Sequence, residues 1–150
     1  QDLINEPFKN QNISEGNSYS ESNNAEAFWQ IRINDLNAVL SNTKLPGRNR
    51  LSFNLRLSDP IVEFLPQNQA WHGIGGDYTI ELGENCSAAS GFSDDLPLLD
   101  ASVGGFSRLW LGCASATAIA TSGEISGPQP LLDDLERCLS LPLPKPGWDF

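Results

Sequence analysis

The 150-residue chain contains no methionine, one histidine and only nine basic residues. The single histidine, His72, excludes metal sites built from several histidines. No GxSxG motif accompanies it to indicate a serine hydrolase. Nineteen acidic residues against nine scattered Lys and Arg residues give a net charge of −10. Because nucleic acids and anionic membrane surfaces are bound by clustered basic side chains, the charge argues against both as partners.

Long apolar runs and paired cysteines are also missing. No apolar run approaches the roughly 20 residues that a bilayer requires, and no basic segment followed by an apolar one opens the chain. Cys86, Cys113 and Cys138 are odd in number and widely spaced. This pattern is typical of reduced thiols and predicts a cytoplasmic protein. The start at Gln1, with no methionine anywhere, leads us to expect a piece of a longer polypeptide.

Motifs for phosphate binding and for acid–base chemistry are absent as well. The glycine-rich WHGIGGDY does not follow the order strand, GxGxxG, helix. Nothing resembles an acyl-CoA loop, which would place glycines and basic residues at a helix start. Asp94–Asp95 and Asp133–Asp134 are sequence neighbours, whose side chains point apart. On its own residues the chain does not look like an enzyme, and we expect no metal and no cofactor bound by this segment.

The chain begins with a polar stretch and then turns to periodic patterns. Residues 1–26 are rich in Asn, Ser, Gln and Glu and are predicted to be a linker or a disordered arm. Residues 27–150 are predicted to form one ordered domain. In it, WQIRIN (29–34) alternates like a strand. Asn34 or Asp35 then offers an N-cap for a short helix.

Strand-like alternation recurs through the middle of the chain. The predicted strands lie at Leu51–Ser58, Ile61–Leu65, Tyr78–Leu82, Cys86–Ala89 and Leu98–Val103. Such alternation is typical of an antiparallel sheet with one covered face and one face in water.

The period changes to a helical one after Gly104. One predicted helix ends near Gly112, and a second runs from an N-cap at Ser115 to Gly123. GEIS is a brief extended segment, and a helix follows with Pro130 in its first turn. The proline-spaced LPLPKPGWDF predicts an extended tail. The sum is an α+β domain with about five mainly antiparallel strands and short helices on one face.

The order of four segments resembles a known family. FWQIRINDLNAVL, LSFNLRLSD, DASVGGFSRLWLGCASATAIATSGEI and LLDDLERCLSLPLPKPGWDF follow one another. Together they resemble the C-terminal domain of the enhanced intracellular survival type of GCN5-related N-acetyltransferase, which has the sterol carrier protein fold. The resemblance covers roughly residues 28–150 and includes no catalytic signature.

This resemblance implies upstream acetyltransferase domains in the same chain, a homo-oligomer, and acetyl-CoA as the acetyl donor of the parent enzyme. It also implies that the terminal carboxylate, here that of Phe150, enters the active site as a general base. Trp148 and the segment Pro142–Pro146 would steer it. The alternative is that the C-terminus is frayed and has no function, as chain ends commonly are. The acetyl-CoA binding region itself is missing from these 150 residues.

The sterol-carrier likeness also leaves a second function open, a stand-alone carrier of a sterol or lipid. An apolar ligand would lie between the sheet and the late helices, lined by Phe106, Leu109, Trp110, Leu111 and Ile119. The alternative is that these residues simply fill the core, as apolar residues at helical spacing commonly do. An interaction module without a small ligand is a third possibility. Fold alone does not decide among them.

Overall fold

A computed structural model describes residues 31–45, 50–66 and 68–139. All of them belong to the unit Ile31–Phe150. The predicted linker 1–26, Trp29 and Gln30 of the first predicted strand, and the predicted tail 141–150 lie outside the described residues. The boundary between linker and domain therefore stays a prediction.

Five strands form one sheet in the described part of the chain. They are β1 (Leu51–Ser58), β2 (Gly76–Leu82), β3 (Ser87–Ser90), β4 (Leu98–Ser102) and β5 (Ile125–Ser126). The strand order is β3-β2-β1-β4-β5. Only the pairing of β1 with β4 is parallel, and the other three pairings are antiparallel. The predicted α+β class with about five mainly antiparallel strands is confirmed.

Four α-helices and one 3-10 helix accompany the sheet in the described residues. The α-helices are α1 (Leu36–Ser41), α2 (Val103–Trp110), α3 (Ala116–Thr121) and α4 (Gln129–Cys138), and the 3-10 helix is Pro60–Phe64. None of the helices in residues 31–139 that the structure describes is long and apolar enough to cross a bilayer.

The core lies between one face of the sheet and the four α-helices. The inward side chains of β1, β2 and β4 are buried there: Phe53, Leu55, Leu57, Ile80, Leu82, Leu99 and Ala101. The opposite face carries Arg56, which lies 3.5 Å from both Asp77 and Asp100 on the neighbouring strands. One covered face and one polar face agree with the alternation in the sequence.

Local capping signals place the helix ends as expected. The Asp35 carboxylate accepts from the Ala38 N–H at 2.9 Å, and the Ser115 hydroxyl accepts from the Ala118 N–H at 3.2 Å. Gly112 and Gly123 follow the C-caps of α2 and α3 with φ of 68° and 77°. A left-handed residue just after a helix is the usual role of glycine.

Two predicted strands are wrong within the described residues. Residues 31–34 are irregular, because the Ile33 N–H donates to the Ser107 hydroxyl of α2 at 3.1 Å instead of joining the sheet. The segment predicted as a strand at Ile61–Leu65 is the 3-10 helix. Asp59 caps that helix by accepting from the Ile61 N–H at 3.1 Å, and Pro60 presets its first turn.

Candidate functional site

The predicted catalytic group lies outside the described residues. Phe150, Trp148 and the segment Pro142–Pro146 all follow Leu139, the C-cap of α4 and the last described residue. The role of the Phe150 carboxylate therefore stays a prediction.

The five predicted lining residues lie on α2, at its C-terminus and on α3. Phe106, Leu109 and Trp110 are buried on one side of α2, and Ile119 is fully buried on α3. Leu111 is the C-cap of α2 and is half-buried. The Phe106 and Trp110 rings stack, with centroids 6.0 Å apart and an interplanar angle of 22°. Four of the five residues belong to the main core cluster, together with side chains of the sheet.

Helix α2 is positioned by its cap at the end of β4, by a close approach to Glu124 and by a hydrogen bond to the segment before α1. The Ser102 hydroxyl accepts from the Gly105 N–H at 2.9 Å and so caps the helix. A Cβ atom on Gly105 would lie 2.7 Å from the Glu124 carbonyl oxygen, so the chains can approach this closely only at a glycine. The buried Ser107 hydroxyl donates to the Val103 carbonyl at 2.7 Å and accepts from Ile33. These contacts place the apolar residues of α2 in a fixed core position.

Helix α3 depends on a residue of α4. The Glu136 carboxylate accepts from the Thr117 N–H at 2.8 Å, within the first turn of α3. The hydrogen bonds from the Thr117 backbone and side chain, with a contribution from Ser115, hold the pKa of Glu136 below its ordinary value. This carboxylate adds a second cap to a six-residue helix that is too short to be stable alone.

Sequence reasoning missed the Asp59 carboxylate, a buried group that accepts three hydrogen bonds. It lies just after β1, and its side chain is 1% exposed. It accepts from Arg32 at 2.5 Å, from the Ile61 N–H at 3.1 Å and from the Ile74 N–H at 2.9 Å. The Asp59 carboxylate thus joins the segment before α1, the 3-10 helix and the segment before β2.

The glycine-rich WHGIGGDY segment passes over this carboxylate. Gly73 has a φ of 84°, and a Cβ atom there would lie 2.5 Å from Asp59 Oδ2. Two of its other residues add contacts of their own: the Tyr78 hydroxyl donates to the Ile74 carbonyl at 2.9 Å, and the Trp71 indole N–H donates to the Asn34 carbonyl at 3.2 Å. The glycine-rich segment has a structural role here, because it packs against a buried carboxylate.

Asp59 and Tyr78 have shifted protonation equilibria. Burial raises the pKa of Asp59, but the hydrogen bonds from Arg32, Ile74 and Ile61 and the charge of Arg32 outweigh burial, so the pKa lies below its ordinary value. Burial, followed by the negative charge of Asp59, raises the pKa of Tyr78. Asp59 is therefore an anion at neutral pH, held by donors on all sides, and acts as a structural acceptor.

Other residues singled out in the sequence do not converge on a reactive centre. His72 is exposed, and the three cysteines are free, with Cys86 buried and the other two half-buried. Among residues 31–139, as far as the structure describes them, no group of three or more His, Cys, Asp or Glu residues is placed to hold a metal ion.

A second missed residue, Asn54, shapes the open face of the sheet. Its amide nitrogen donates to the Ser93 carbonyl at 2.9 Å and to the Leu96 carbonyl at 3.3 Å, while its oxygen accepts from the Ser93 N–H at 2.9 Å. The loop between β3 and β4 is thereby fixed across β1. This contact explains a buried polar residue on the face that otherwise lies in water.

No protein-family model matches the chain, and no curated protein sequence matches it. Solved structures do. A GCN5-related N-acetyltransferase from Anabaena variabilis ATCC 29413 matches over 75% of this chain and 26% of its own, with 12% identity and a TM-score of 0.60. A GCN5-related N-acetyltransferase from Kribbella flavida matches over the same shares, with 16% identity and a TM-score of 0.60. The chain thus has the fold of part of these proteins and spans about a quarter of their length.

Sterol carrier protein 2 from Yarrowia lipolytica is also a structural neighbour. It matches over 61% of this chain and 70% of its own, with 18% identity and a TM-score of 0.32. That score is too low to carry an argument about lipid binding. The carrier function stays a prediction, to be tested at the buried residues of α2 and α3.

Proposed function

We propose that this chain is the C-terminal, sterol-carrier-like domain of a GCN5-related N-acetyltransferase of the enhanced intracellular survival type. In this role it supports the active site and the oligomer of a cytoplasmic enzyme, and its terminal carboxylate serves as the general base. The observation that supports the proposal is the fold match at a TM-score of 0.60 to two acetyltransferases, of which the chain spans about a quarter. A domain of this size within such enzymes is the simplest reason for that match.

In this proposal acetyl-CoA is bound by the rest of the polypeptide and not by this segment. A pyrophosphate needs free backbone N–H groups at a helix start or unpaired basic side chains. At the start of α2, the Ser102 hydroxyl already accepts from Gly105, and Gly105 lies against Glu124. Four of the six Lys and Arg residues that the structure describes already pair with a carboxylate, namely Arg32, Arg56, Arg108 and Arg137.

The proposed base is the α-carboxylate of Phe150. A free α-carboxyl has a pKa of about 3.3–3.7, which is too low for an efficient base near pH 7. Burial under an apolar aromatic side chain would raise the pKa, because it disfavours the charged form. Such a carboxylate could take a proton from the ammonium group of the acceptor and leave its nitrogen free to attack. Prolines before it would reduce the entropy lost in placing it.

The test uses the natural polypeptide that carries this sequence. Deleting Phe150 moves the terminal carboxylate back by one residue, whereas Phe150→Leu keeps it in place with an apolar side chain. We expect deletion to lower kcat for acetyl transfer by about 100-fold or more, the range of general base catalysis. We expect Phe150→Leu to retain most of it. Equal kcat values for the deletion and the wild type would remove the carboxylate from the mechanism.

The mass of the natural polypeptide tests the first part of the proposal. Antibodies against this domain should detect a species far larger than 16.3 kDa, and that species should acetylate amines with acetyl-CoA. A native species of about 16.3 kDa would overturn the proposal, because Phe150 would then have no active site to enter.

A further inference from the structure

Five large apolar side chains are exposed among the described residues. They are Ile31 (52%), Val62 (52%), Phe64 (78%), Trp71 (37%) and Phe92 (41%). Phe92 lies on the open face of the sheet beneath Arg56, whose guanidinium carbon is 5.3 Å from the ring centroid. The other four belong to segments that meet beyond the end of β1. We name Ile31, Val62, Phe64 and Trp71 the end patch.

The Asp59 carboxylate is what brings the segments of the end patch together. The Arg32 guanidinium donates to the Asp59 carboxylate, and this bond fixes the chain at Arg32, directly after Ile31. The Ile61 N–H donates to the same carboxylate at the start of the 3-10 helix, which contains Val62 and Phe64. The Ile74 N–H also donates to it and fixes the segment after Trp71. The Arg32 guanidinium carbon also lies 5.5 Å from the centroid of the Trp71 ring. Three chain segments thus present apolar side chains around one buried anion.

These contacts hold the end patch in place before anything binds it. The 3-10 helix is capped at Asp59 and has a proline in its first turn. Trp71 is fixed by Arg32 on its face and by its indole N–H bond to Asn34. An ordered aromatic surface loses little conformational entropy on binding. Tryptophan and contiguous exposed apolar residues are also the usual features of protein–protein contact surfaces.

The size of the chain relative to its structural neighbours indicates the occupant. About three quarters of each acetyltransferase lies outside the part that this chain matches. A domain that is a quarter of a larger protein needs a face against the remainder. The end patch contains four of the five large apolar residues that are exposed in the described part of the chain. Glu63, which lies between Val62 and Phe64, is exposed and favours a basic side chain opposite it.

We propose that the end patch is the docking surface for the acetyltransferase region of the same polypeptide, which meets it with an apolar face and a basic side chain opposite Glu63. This inference rests on the proposed function and specifies which face of the domain supports the active site. The buried Asp59 then acts as a positioning residue for the interface, since it holds all three segments of the end patch.

Hydrogen exchange tests the docking surface directly. It is measured on the natural polypeptide and on the 150-residue chain, at the segments Ile31–Asp35, Pro60–Leu65 and Gln69–Gly73. We expect exchange in the natural polypeptide to be slower by about tenfold or more, which corresponds to about 1.4 kcal/mol of added protection. The loop around Phe92 is the internal control and should exchange equally in both. Equal exchange at the end patch would overturn the inference.

A matched pair of variants adds a second readout. Val62→Ser with Phe64→Ser replaces two apolar side chains of the end patch, and Phe92→Ser replaces the exposed aromatic residue elsewhere. Both should leave the melting temperature of the 150-residue chain nearly unchanged. In the natural polypeptide we expect only the double variant to lose the added protection and to lower acetyl transfer. Loss of activity with protection retained would overturn the docking role.

Other occupants give distinguishable results. Protection that rises with the concentration of the 150-residue chain would assign the end patch to a second copy. Protection that is already present in the 150-residue chain and disappears when residues 1–30 are removed from it would assign the end patch to that segment. Either result overturns docking on the acetyltransferase region without touching the proposed function. A natural polypeptide without acetyltransferase activity would instead overturn the proposed function itself.

Discussion

The Arg32 guanidinium and the Asp59 carboxylate form an ion pair with an N–O distance of 2.5 Å across 27 residues of sequence. The Asp59 side chain is 1% exposed and that of Arg32 is 30% exposed. The pair therefore joins a buried anion to a cation at the surface. Because Ile61 and Ile74 donate to the same carboxylate, one side chain connects the segments before α1, after β1 and before β2.

Replacing Asp59 with asparagine should destabilise the domain far more than an exposed carboxylate would. The variant loses the charge that pairs with Arg32 and one of the acceptor oxygens used by the backbone. Breaking a buried pair costs about 3–5 kcal/mol, and because Arg32 is partly exposed we expect a loss of about 3 kcal/mol. Urea unfolding followed by fluorescence measures it.

Asp100→Asn is the matched control for Asp59→Asn. Asp100 pairs with Arg56 at 3.5 Å and is half-exposed, so its removal should cost less than about 1 kcal/mol. If the two variants lose similar amounts of unfolding free energy, the hydrogen bonds of Asp59 contribute no more to stability than an exposed ion pair does.

Stability should fall in acid because of the same carboxylate. The pKa of Asp59 is lower in the folded chain than the value of about 3.9 expected in the unfolded chain. The unfolded chain therefore binds more protons in acid, and the contribution of Asp59 is full above about pH 4 and lost as pH falls through the folded pKa. The free energy of unfolding, measured by urea titration from pH 6 to pH 2, gives this slope.

The acid slope should be shallower in Asp59→Asn but should not vanish. The pKa of Glu136 is also lowered by folding and contributes in the same direction. A slope in the variant equal to that of the wild type would mean that Asp59 has the same pKa in the folded and unfolded chains.

Stability should also fall in alkali, through Tyr78. Burial and the charge of Asp59 raise the pKa of Tyr78 in the folded chain above its ordinary value of 10.0. Its contribution is full below the unfolded pKa and is lost as pH rises through the folded pKa, since the unfolded chain ionises first. The free energy of unfolding between pH 8 and pH 11 should therefore decrease less steeply in Tyr78→Phe.

The cysteine Cys138 requires a control in that experiment. Burial raises the pKa of its thiol as well, which adds an alkaline slope of the same sign. The comparison is therefore made in a Cys138→Ala background. If Tyr78→Phe leaves the slope of that background unchanged, Tyr78 titrates alike in both states and the predicted shift is wrong.

The parts of the fold that sequence reasoning predicted depend on local signals. The caps at Asp35 and Ser115 bond to residues three positions ahead, and the alternation in β1 matches the burial of its side chains except at Asn54. The error at Ile61–Leu65 had a local signal too. Asp59 before Pro60 favours a helical turn, and the apolar residues of IVEFL do not alternate as those of a strand with one buried face do.

The parts that sequence reasoning missed depend on contacts between distant segments. Asp59 bonds to residues 27 and 15 positions away, and Asn54 bonds to one 39 positions away. No spacing rule within a helix or strand identifies such partners. The polar centre of the end patch could therefore be found only once the three segments were placed in space.

Ile119→Ala decides between a filled core and an apolar ligand tunnel on α2 and α3. Ile119 is fully buried in the main core cluster, so truncating it should cost about 2–5 kcal/mol through lost contacts and a new cavity. Val62→Ala on the end patch is the exposed control and should change the free energy of unfolding by no more than about 0.5 kcal/mol.

If Ile119 instead lined a tunnel, it would already lack packing partners, so Ile119→Ala would cost little stability. Displacement of a fluorescent fatty acid or sterol, abolished by Leu109→Trp, would then establish a carrier. A large loss without probe binding would leave Phe106, Leu109, Trp110 and Ile119 as core residues that fix α2 and α3 on the sheet.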